Sequence, residues 1–118
     1  MQNNFKDKVR LQHIFDAISE IENYNLSKNF DDFVEDSMLQ NASIHLLEVI
    51  GEASNHLSIE ITEKYNSVEW AQIIGLRNFL IHEYFGVDLN IVWNIIQYEL
   101  PDFKNQIQLI LEDLEKQK

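Results

Sequence analysis

The sequence predicts an all-α protein, an antiparallel bundle of four to five helices. The 118 residues include only three glycines and one proline, whereas sheet folds need turn residues roughly every 8–12 positions. Apolar residues make up 45% of the chain, as in a globular domain. They recur at helical spacing in long stretches with short connections between them. We therefore expect a single helical domain over residues 1–118.

The first half of the chain is expected to form two long helices with a short one between them. The first helix covers about residues 5–24, and a short acidic helix follows over 30–36. The second long helix runs from about residue 37 to 57. Gly51 lies in its middle, where glycine costs about 1 kcal/mol relative to alanine. This cost indicates that a neighbouring helix approaches closely at Gly51.

The third long helix is predicted over about residues 68–85. Before it, Ser58 is a plausible N-cap for a short helix that continues through Tyr65. Ser67 is in a position to cap the long helix itself. Gly86 should end this helix, because glycine readily adopts the left-handed conformation found at helix ends.

The fourth helix should begin after Asp88, which is a good N-cap residue. Apolar residues then recur at helical spacing to the end of the chain. Pro101 falls inside this pattern, lacks an N–H donor and crowds the preceding turn. We therefore expect a kink or an interruption at Pro101.

Composition excludes several classes of protein. The net charge is −11 and there is no cysteine, so a general nucleic-acid binder, a disulfide framework and a thiolate metal site are all disfavoured. His45 and His56 lack a clustered third ligand, and we interpret them as surface residues and expect no metal site. No apolar run has membrane length and residues 1–10 are polar. We therefore expect a cytoplasmic protein with no membrane association.

The third long helix carries two different faces. Arg77 lies in the middle of a wide apolar arc, although a guanidinium is almost never buried without a partner. Beside that arc runs a second stripe of residues three or four positions apart: Ala71, Gly75, Asn78 and His82. We call these four residues the seam. It predicts a second contact surface, with small residues at one end and polar residues at the other.

Two interpretations of Arg77 and His82 remain open from their spacing. On an ideal helix, residues five positions apart point about 140° away from each other. The two side chains would meet one ligand if the helix end distorts, or if a symmetric dimer packs through the seam. Alternatively, Arg77 pairs with a core-facing glutamate of its own bundle, such as Glu48 or Glu52, and His82 is an ordinary helix-end histidine.

The segment from Arg77 to Asp88 resembles the HEPN superfamily, which is marked by arginine, four to six residues and then histidine. Tyr84 extends this to RxxxxHxY, the form typical of the HepT toxin family. The resemblance covers nearly the whole chain, in the order and spacing of four segments: VRLQHIFDAISEIENY, NASIHLLEVIGEASNHLS, VEWAQIIGLRNFLIHEYFGVD and VWNIIQYELP.

This resemblance implies a HEPN-like bundle that forms a homodimer or higher homo-oligomer through the motif helix. It implies a toxin that cleaves RNA as an endoribonuclease, without metal or cofactor, with Arg77 and His82 as catalytic residues. The implied partner is a minimal nucleotidyltransferase antitoxin, which transfers AMP to Tyr84 and silences the site.

The residue types suit that chemistry. Histidine exchanges protons near neutral pH, so His82 is suited to take the proton of an RNA 2′-hydroxyl. Arg77 can hold phosphate oxygens with two donors. Asn78 lies one turn before His82 and is placed to orient the imidazole or the phosphate. We expect a 2′,3′-cyclic phosphate product.

The acidic composition supports a different class of function as the alternative. Arg77 is the only Lys or Arg between Tyr65 and Phe103, so affinity for RNA should be weak unless a dimer concentrates positive potential. The alternative is a non-catalytic subunit that docks a nucleotidyltransferase and helps to bind its nucleotide.

Overall fold

The computed structural model describes the backbone of residues 2–82 and 88–117, and the side chains of residues 5–80 and 88–117. These described parts are helical and contain no strand, which confirms the all-α prediction. Four long helical arms, with shorter helices between them, account for the fold. The segments are α1 (Gln2–Tyr24), α2 (Phe30–Glu35), α3 (Ser37–Asn55), α4 (Ile59–Lys64), α5 (Trp70–His82), α6 (Leu89–Asn94), a π-helical stretch (Ile95–Glu99) and α7 (Leu100–Lys116).

Two ion pairs show that α1 and α7 are antiparallel. Near the start of α1, Lys8 Nζ lies 2.6 Å from Oε2 of Glu115, at the end of α7. Near the end of α1, Glu22 Oε1 lies 2.7 Å from Nζ of Lys104, close to the start of α7. Because these pairs join opposite ends of the two helices, α1 and α7 run in opposite directions.

Buried polar contacts show the same relation between α1 and α3. Asp7 is 2% exposed, and its carboxylate accepts hydrogen bonds from the backbone N–H and the hydroxyl of Ser58, just beyond α3, at 2.9 and 2.6 Å. Beyond the other end of α1, Asn25 Nδ2 donates to Ser43 Oγ at 3.1 Å, in the first half of α3. α3 is therefore antiparallel to α1 and parallel to α7.

One hydrogen bond fixes the direction of α5. Tyr65, five residues before α5 begins, donates from its hydroxyl to Oδ2 of Asp113, near the end of α7, at 2.9 Å. α5 thus starts at the end of the bundle where α3 and α7 finish. It runs antiparallel to α3, and His82 lies toward the end of the bundle where α3 begins.

The core lies between α1, α3 and α7, with α5 closing one side. Trp70 packs edge-on against Phe103, with ring centroids 6.0 Å apart, and Phe33 of α2 lies 5.3 Å from Trp93 of α6. The largest fully buried apolar side chains come from six segments: Leu11, Ile14, Ile18, Ile21, Phe33, Leu47, Ile50, Leu80, Val92, Ile107 and Ile110.

The predicted N-caps at Ser58 and Asp88 are confirmed. Ser58 Oγ accepts from the backbone N–H of Ile61 at 3.3 Å, and Asp88 Oδ1 accepts from the N–H of Asn90 at 2.9 Å. Each side chain satisfies a backbone donor that the first turn of a helix leaves without a partner.

Some predicted boundaries differ from the structure. The first helix starts at Gln2 rather than at residue 5, and α3 ends at Asn55 rather than at 57. α5 begins at Trp70 rather than at residue 68, so Ser67 is two residues too early to be its N-cap. The turn before it is tied by the indole N–H of Trp70, which donates to the carbonyl of Tyr65 at 3.0 Å. The predicted helix end at Gly86 lies outside the described residues.

The predicted interruption at Pro101 occurs just before the proline. Residues 95–99 form a π-helical stretch, in which the N–H of Leu100 donates to the carbonyl of Ile95, five residues earlier. Proline cannot supply the N–H that the carbonyl of Gln97 would receive in an α-helix. The wider π turn therefore accommodates the missing hydrogen bond, and α6, the π stretch and α7 form one continuous arm.

Along the described helices, none combines the length and the hydrophobicity needed to span a bilayer.

Candidate active site

Gly51 sets the distance between α3 and α5. A Cβ at this buried position would lie 3.1 Å from the carbonyl oxygen of Ile73 and 3.2 Å from the backbone nitrogen of Arg77. These separations are tighter than ordinary van der Waals contact, so only a residue without a side chain allows the two backbones to pack this closely. The prediction of a close helix approach at Gly51 is confirmed, and the approaching residues include Arg77.

The guanidinium of Arg77 lies at the surface of the bundle. Its side chain is 50% exposed, and its Nε lies 2.9 Å from Oε2 of Glu52, which is 46% exposed. The interpretation that Arg77 pairs with a glutamate of its own bundle is therefore confirmed, with Glu52 rather than Glu48 as the partner. The expectation that this glutamate faces the core is wrong, because Glu52 is about half exposed. Because Glu52 directly follows Gly51, the close approach that positions the Arg77 backbone also brings the carboxylate to it.

Glu52 has a second neighbour at His56, the residue that follows α3. The Nδ1 of His56 lies 2.9 Å from the backbone carbonyl oxygen of Glu52 and 3.7 Å from its Oε1. The carboxylate thus lies between an imidazole at the end of its own helix and a guanidinium on α5. His45, in the middle of α3, is exposed, so this histidine and His56 both reach the surface, as expected.

The seam, where the structure describes it, is not packed against other described residues. Ala71 and Asn78 are exposed, and a Cβ built on Gly75 meets no described atom within 4 Å. This contrasts with Gly51, where the same addition meets backbone. The prediction that α5 has a second face, separate from the core, is supported over Ala71, Gly75 and Asn78.

His82 is the last residue of α5 that the structure describes. Five residues at 1.5 Å per residue place its backbone about 7.5 Å along the helix axis from Arg77. The side chain of His82 lies outside the described residues, as does Tyr84. The structure therefore places Arg77 and Asn78 on the surface of α5, and the pairing of either residue with the imidazole stays a prediction.

A groove beside the seam was not anticipated from the sequence. It has a volume of about 580 Å³ and lies between α5 and the arm formed by α6, the π stretch and α7. Phe79 and Ile91 line it, and they are 37% and 43% exposed. The sequence signal for this surface is that Ala71, Gly75 and Phe79 recur every fourth residue. Acidic residues also line the groove, namely Glu69, Glu99 and Asp102.

Residues 14–110 match the family model described as "Ribonuclease HepT-like". The chain belongs to the ribonuclease HepT-like family. The matched span contains the whole of α5 and the segment from Arg77 to Asp88 that carries the RxxxxHxY pattern. The family predicted from the resemblance is thereby confirmed.

Several relatives of this HepT-like chain are named as ribonucleases. A protein of Methanocaldococcus jannaschii named "Gamma-glutamylcyclotransferase and putative RNase" is 41% identical over 111 residues, which are 94% of this chain and 50% of that protein. A "Putative RNase" of Caldanaerobacter subterraneus subsp. tengcongensis is 45% identical over 84 residues, 71% of this chain and 75% of the relative.

A third relative, the "Probable ribonuclease HepT" of Thermococcus cleftensis, is 33% identical over 108 residues, 92% of this chain and 96% of the relative. The HepT-like chain therefore spans half the length of the Methanocaldococcus protein and nearly all of the Thermococcus one. No solved structure matches it.

Proposed function

We propose that this HepT-like chain is a metal-independent endoribonuclease that acts in the cytoplasm as the toxin of a toxin–antitoxin pair. The observation that carries the proposal is the Arg77 guanidinium, which is half exposed on α5 although its backbone is packed against Gly51. A cation held on a rigid helix and open to solvent is suited to bind a phosphate. The family, and the ribonuclease names of its relatives, support RNA as the substrate.

The proposed reaction is an internal transfer at one phosphate of the RNA. His82 takes the proton of a 2′-hydroxyl, and the 2′-oxygen bonds to the adjacent phosphorus while the bond to the 5′-oxygen breaks. Arg77 binds the phosphate oxygens on which negative charge grows, and Asn78 orients the phosphate or the imidazole. The departing 5′-oxygen takes up one proton, which balances the proton lost at the start. The products are a 2′,3′-cyclic phosphate and a free 5′-hydroxyl.

A homodimer is part of the proposal. Within one straight helix, Arg77 and His82 diverge by about 140°, so a second copy is the simplest way to bring an imidazole to a guanidinium. The seam supports this arrangement, because Ala71 and Asn78 are exposed and a Cβ on Gly75 would meet none of the described atoms within 4 Å. A two-fold axis through the seam would place equivalent α5 helices against each other.

The test is cleavage of end-labelled RNA by the purified protein, with and without EDTA. We expect cleavage that is unchanged by the chelator and leaves 2′,3′-cyclic phosphate ends. His82→Ala should lower the rate by about 10²–10⁴-fold, the typical contribution of a general base. Arg77→Lys should also lose activity, since lysine keeps the charge without the two-donor geometry. Activity that EDTA abolishes and a divalent ion restores would refute the mechanism.

We propose further that a minimal nucleotidyltransferase antitoxin transfers AMP to Tyr84. An adenylate two residues after His82 would add bulk and negative charge beside the phosphate site and would repel RNA. The experiment is co-expression with the neighbouring transferase, followed by intact mass and a growth assay. The wild-type protein should gain mass in steps of one adenylate, and Tyr84→Phe should stay toxic. Neutralisation of the Tyr84→Phe variant would show that Tyr84 is not the switch.

The acidic composition favours one other function, a non-catalytic subunit that docks a nucleotidyltransferase and helps to bind its nucleotide. Arg77 is the only Lys or Arg from residue 66 to 103 within a chain of net charge −11. The same RNA assay separates the two functions. If the wild-type protein and His82→Ala are equally inert, and ATP binds only when the transferase is present, the docking function is correct.

A further inference from the structure

Glu52 is paired with Arg77, the residue that is proposed to bind the RNA phosphate. Its Oε2 lies 2.9 Å from Nε of Arg77, within the distance at which a phosphate oxygen would contact the same guanidinium. We propose that Glu52 competes with RNA for Arg77, and that its carboxylate sets the affinity of this protein for RNA. The inference rests on the proposed role of Arg77 and adds to it a residue that opposes binding.

The exposure of both partners makes the contact exchangeable. The side chains of Arg77 and Glu52 are 50% and 46% exposed, and ion pairs between such solvated groups are weak because water screens them and ordering costs side-chain entropy. An RNA phosphate can therefore displace the carboxylate. Displacement still has a cost, since the freed carboxylate remains beside the incoming phosphate as a like charge.

The packing of the helices keeps Glu52 near Arg77 even when the pair is open. Gly51 holds the backbones of α3 and α5 together at the residue that precedes Glu52. The carboxylate can turn away only by side-chain rotation, and its other near neighbour is His56, whose Nδ1 lies 3.7 Å from Oε1. Glu52 thus opposes RNA binding directly at Arg77, in addition to the repulsion from the negative charge of the whole chain.

The substitution Glu52→Gln tests this competition, because glutamine preserves the shape and removes the charge. Glu48→Gln is the matched control. Glu48 lies one turn earlier on α3 and forms no ion pair with Arg77, so this substitution removes the same charge and leaves the Arg77–Glu52 pair intact. For a unit charge about 5 Å from the phosphate in a water-like medium, removal should tighten RNA binding by roughly fourfold. The control should change binding less.

The primary measurement is the Kd for a fluorescent single-stranded RNA, taken by anisotropy in a His82→Ala background so that no cleavage occurs. Glu52→Gln should lower the Kd, and Glu48→Gln should lower it less. The gain from Glu52→Gln should vanish when Arg77→Ala is added, because no guanidinium then holds the phosphate beside Glu52. That last comparison is a double-mutant cycle and assigns the gain to the Arg77–Glu52 pair. Equal effects of the two glutamine variants, a gain that survives Arg77→Ala, or no binding by Glu52→Gln would each overturn the inference.

Cleavage kinetics with His82 present give an independent result. Competition predicts that Glu52→Gln lowers KM with kcat unchanged. A fall in kcat at constant KM would mean that Glu52 positions Arg77 for the reaction, and would overturn competition. Failure of the wild-type protein to cleave RNA counts against the proposed catalysis alone, since the binding comparison still decides the role of Glu52.

Discussion

Replacing Gly51 by alanine tests the packing that holds the candidate site. The added Cβ would lie 3.1 Å from the carbonyl oxygen of Ile73 and 3.2 Å from the backbone nitrogen of Arg77. Both atoms belong to the backbone of α5, so the helix as a whole must move by a few tenths of an ångström. Overpacking of this kind costs about 1–3 kcal/mol, and alanine returns about 1 kcal/mol through its higher helix propensity. We expect a net loss of about 1 kcal/mol.

The assay is urea unfolding followed by circular dichroism, with Asn41→Ala as the control. Asn41 is exposed on the same helix, so its replacement reports the gain in propensity alone, about 0.5 kcal/mol. Gly51→Ala should also lower RNA cleavage, by less than the roughly 10²-fold that a displacement of about 1 Å at a catalytic group can cost, since the helix moves only by tenths of an ångström. If Gly51→Ala stabilises the protein as much as Asn41→Ala does, the close contact between α3 and α5 is wrong.

Three further predictions concern the seam and the supporting contacts. Gly75→Leu should keep the fold, because a Cβ there meets no described atom within 4 Å. It should convert the proposed dimer to a monomer, as measured by sedimentation. An unchanged dimer would place the interface elsewhere. Asp7→Ala should lower the free energy of unfolding by about 2–3 kcal/mol in urea, since the backbone N–H and the hydroxyl of Ser58 lose the buried carboxylate that accepts from them. Burial, and then the hydrogen bond to Asp113 and its charge, raise the pKa of Tyr65 from 10.0 to about 12. The folded state therefore favours the neutral phenol. The stability that this preference adds is complete below pH 10 and is lost as the pH rises through 12. Tyr65→Phe should remove that loss in unfolding measurements across this range, and equal pH profiles for the two proteins would contradict it.

Helix positions were predictable because they depend on local patterns. The caps at Ser58 and Asp88 and the disturbance at Pro101 follow from residue types at fixed offsets along the chain. The boundaries were less accurate, as at α5, where the indole of Trp70 bonds to the carbonyl of Tyr65 and holds the preceding turn outside the helix. Such a bond depends on how the side chain packs, and periodicity carries no information about it.

The candidate site was likewise only partly predictable from the sequence. Arg77 and the two faces of α5 could be named from spacing, and the family from the RxxxxHxY pattern with its flanking segments. The choice between Glu48 and Glu52 as the partner of Arg77 could not be made, because both lie on one face of α3, one turn apart. The exposure of Phe79 beside the groove was also missed, since it depends on the direction of the α6–α7 arm.

The sequence by itself determined the helical class, the family and the types of residue available for chemistry, because these depend on composition and on patterns within a few residues. Only the tertiary structure decided that Arg77 is half exposed and that Glu52 lies against it. The physical reason is that these residues are 25 positions apart on different helices. Their contact depends on how closely α3 and α5 approach, and that distance is set where the backbone of one helix rests on Gly51 of the other.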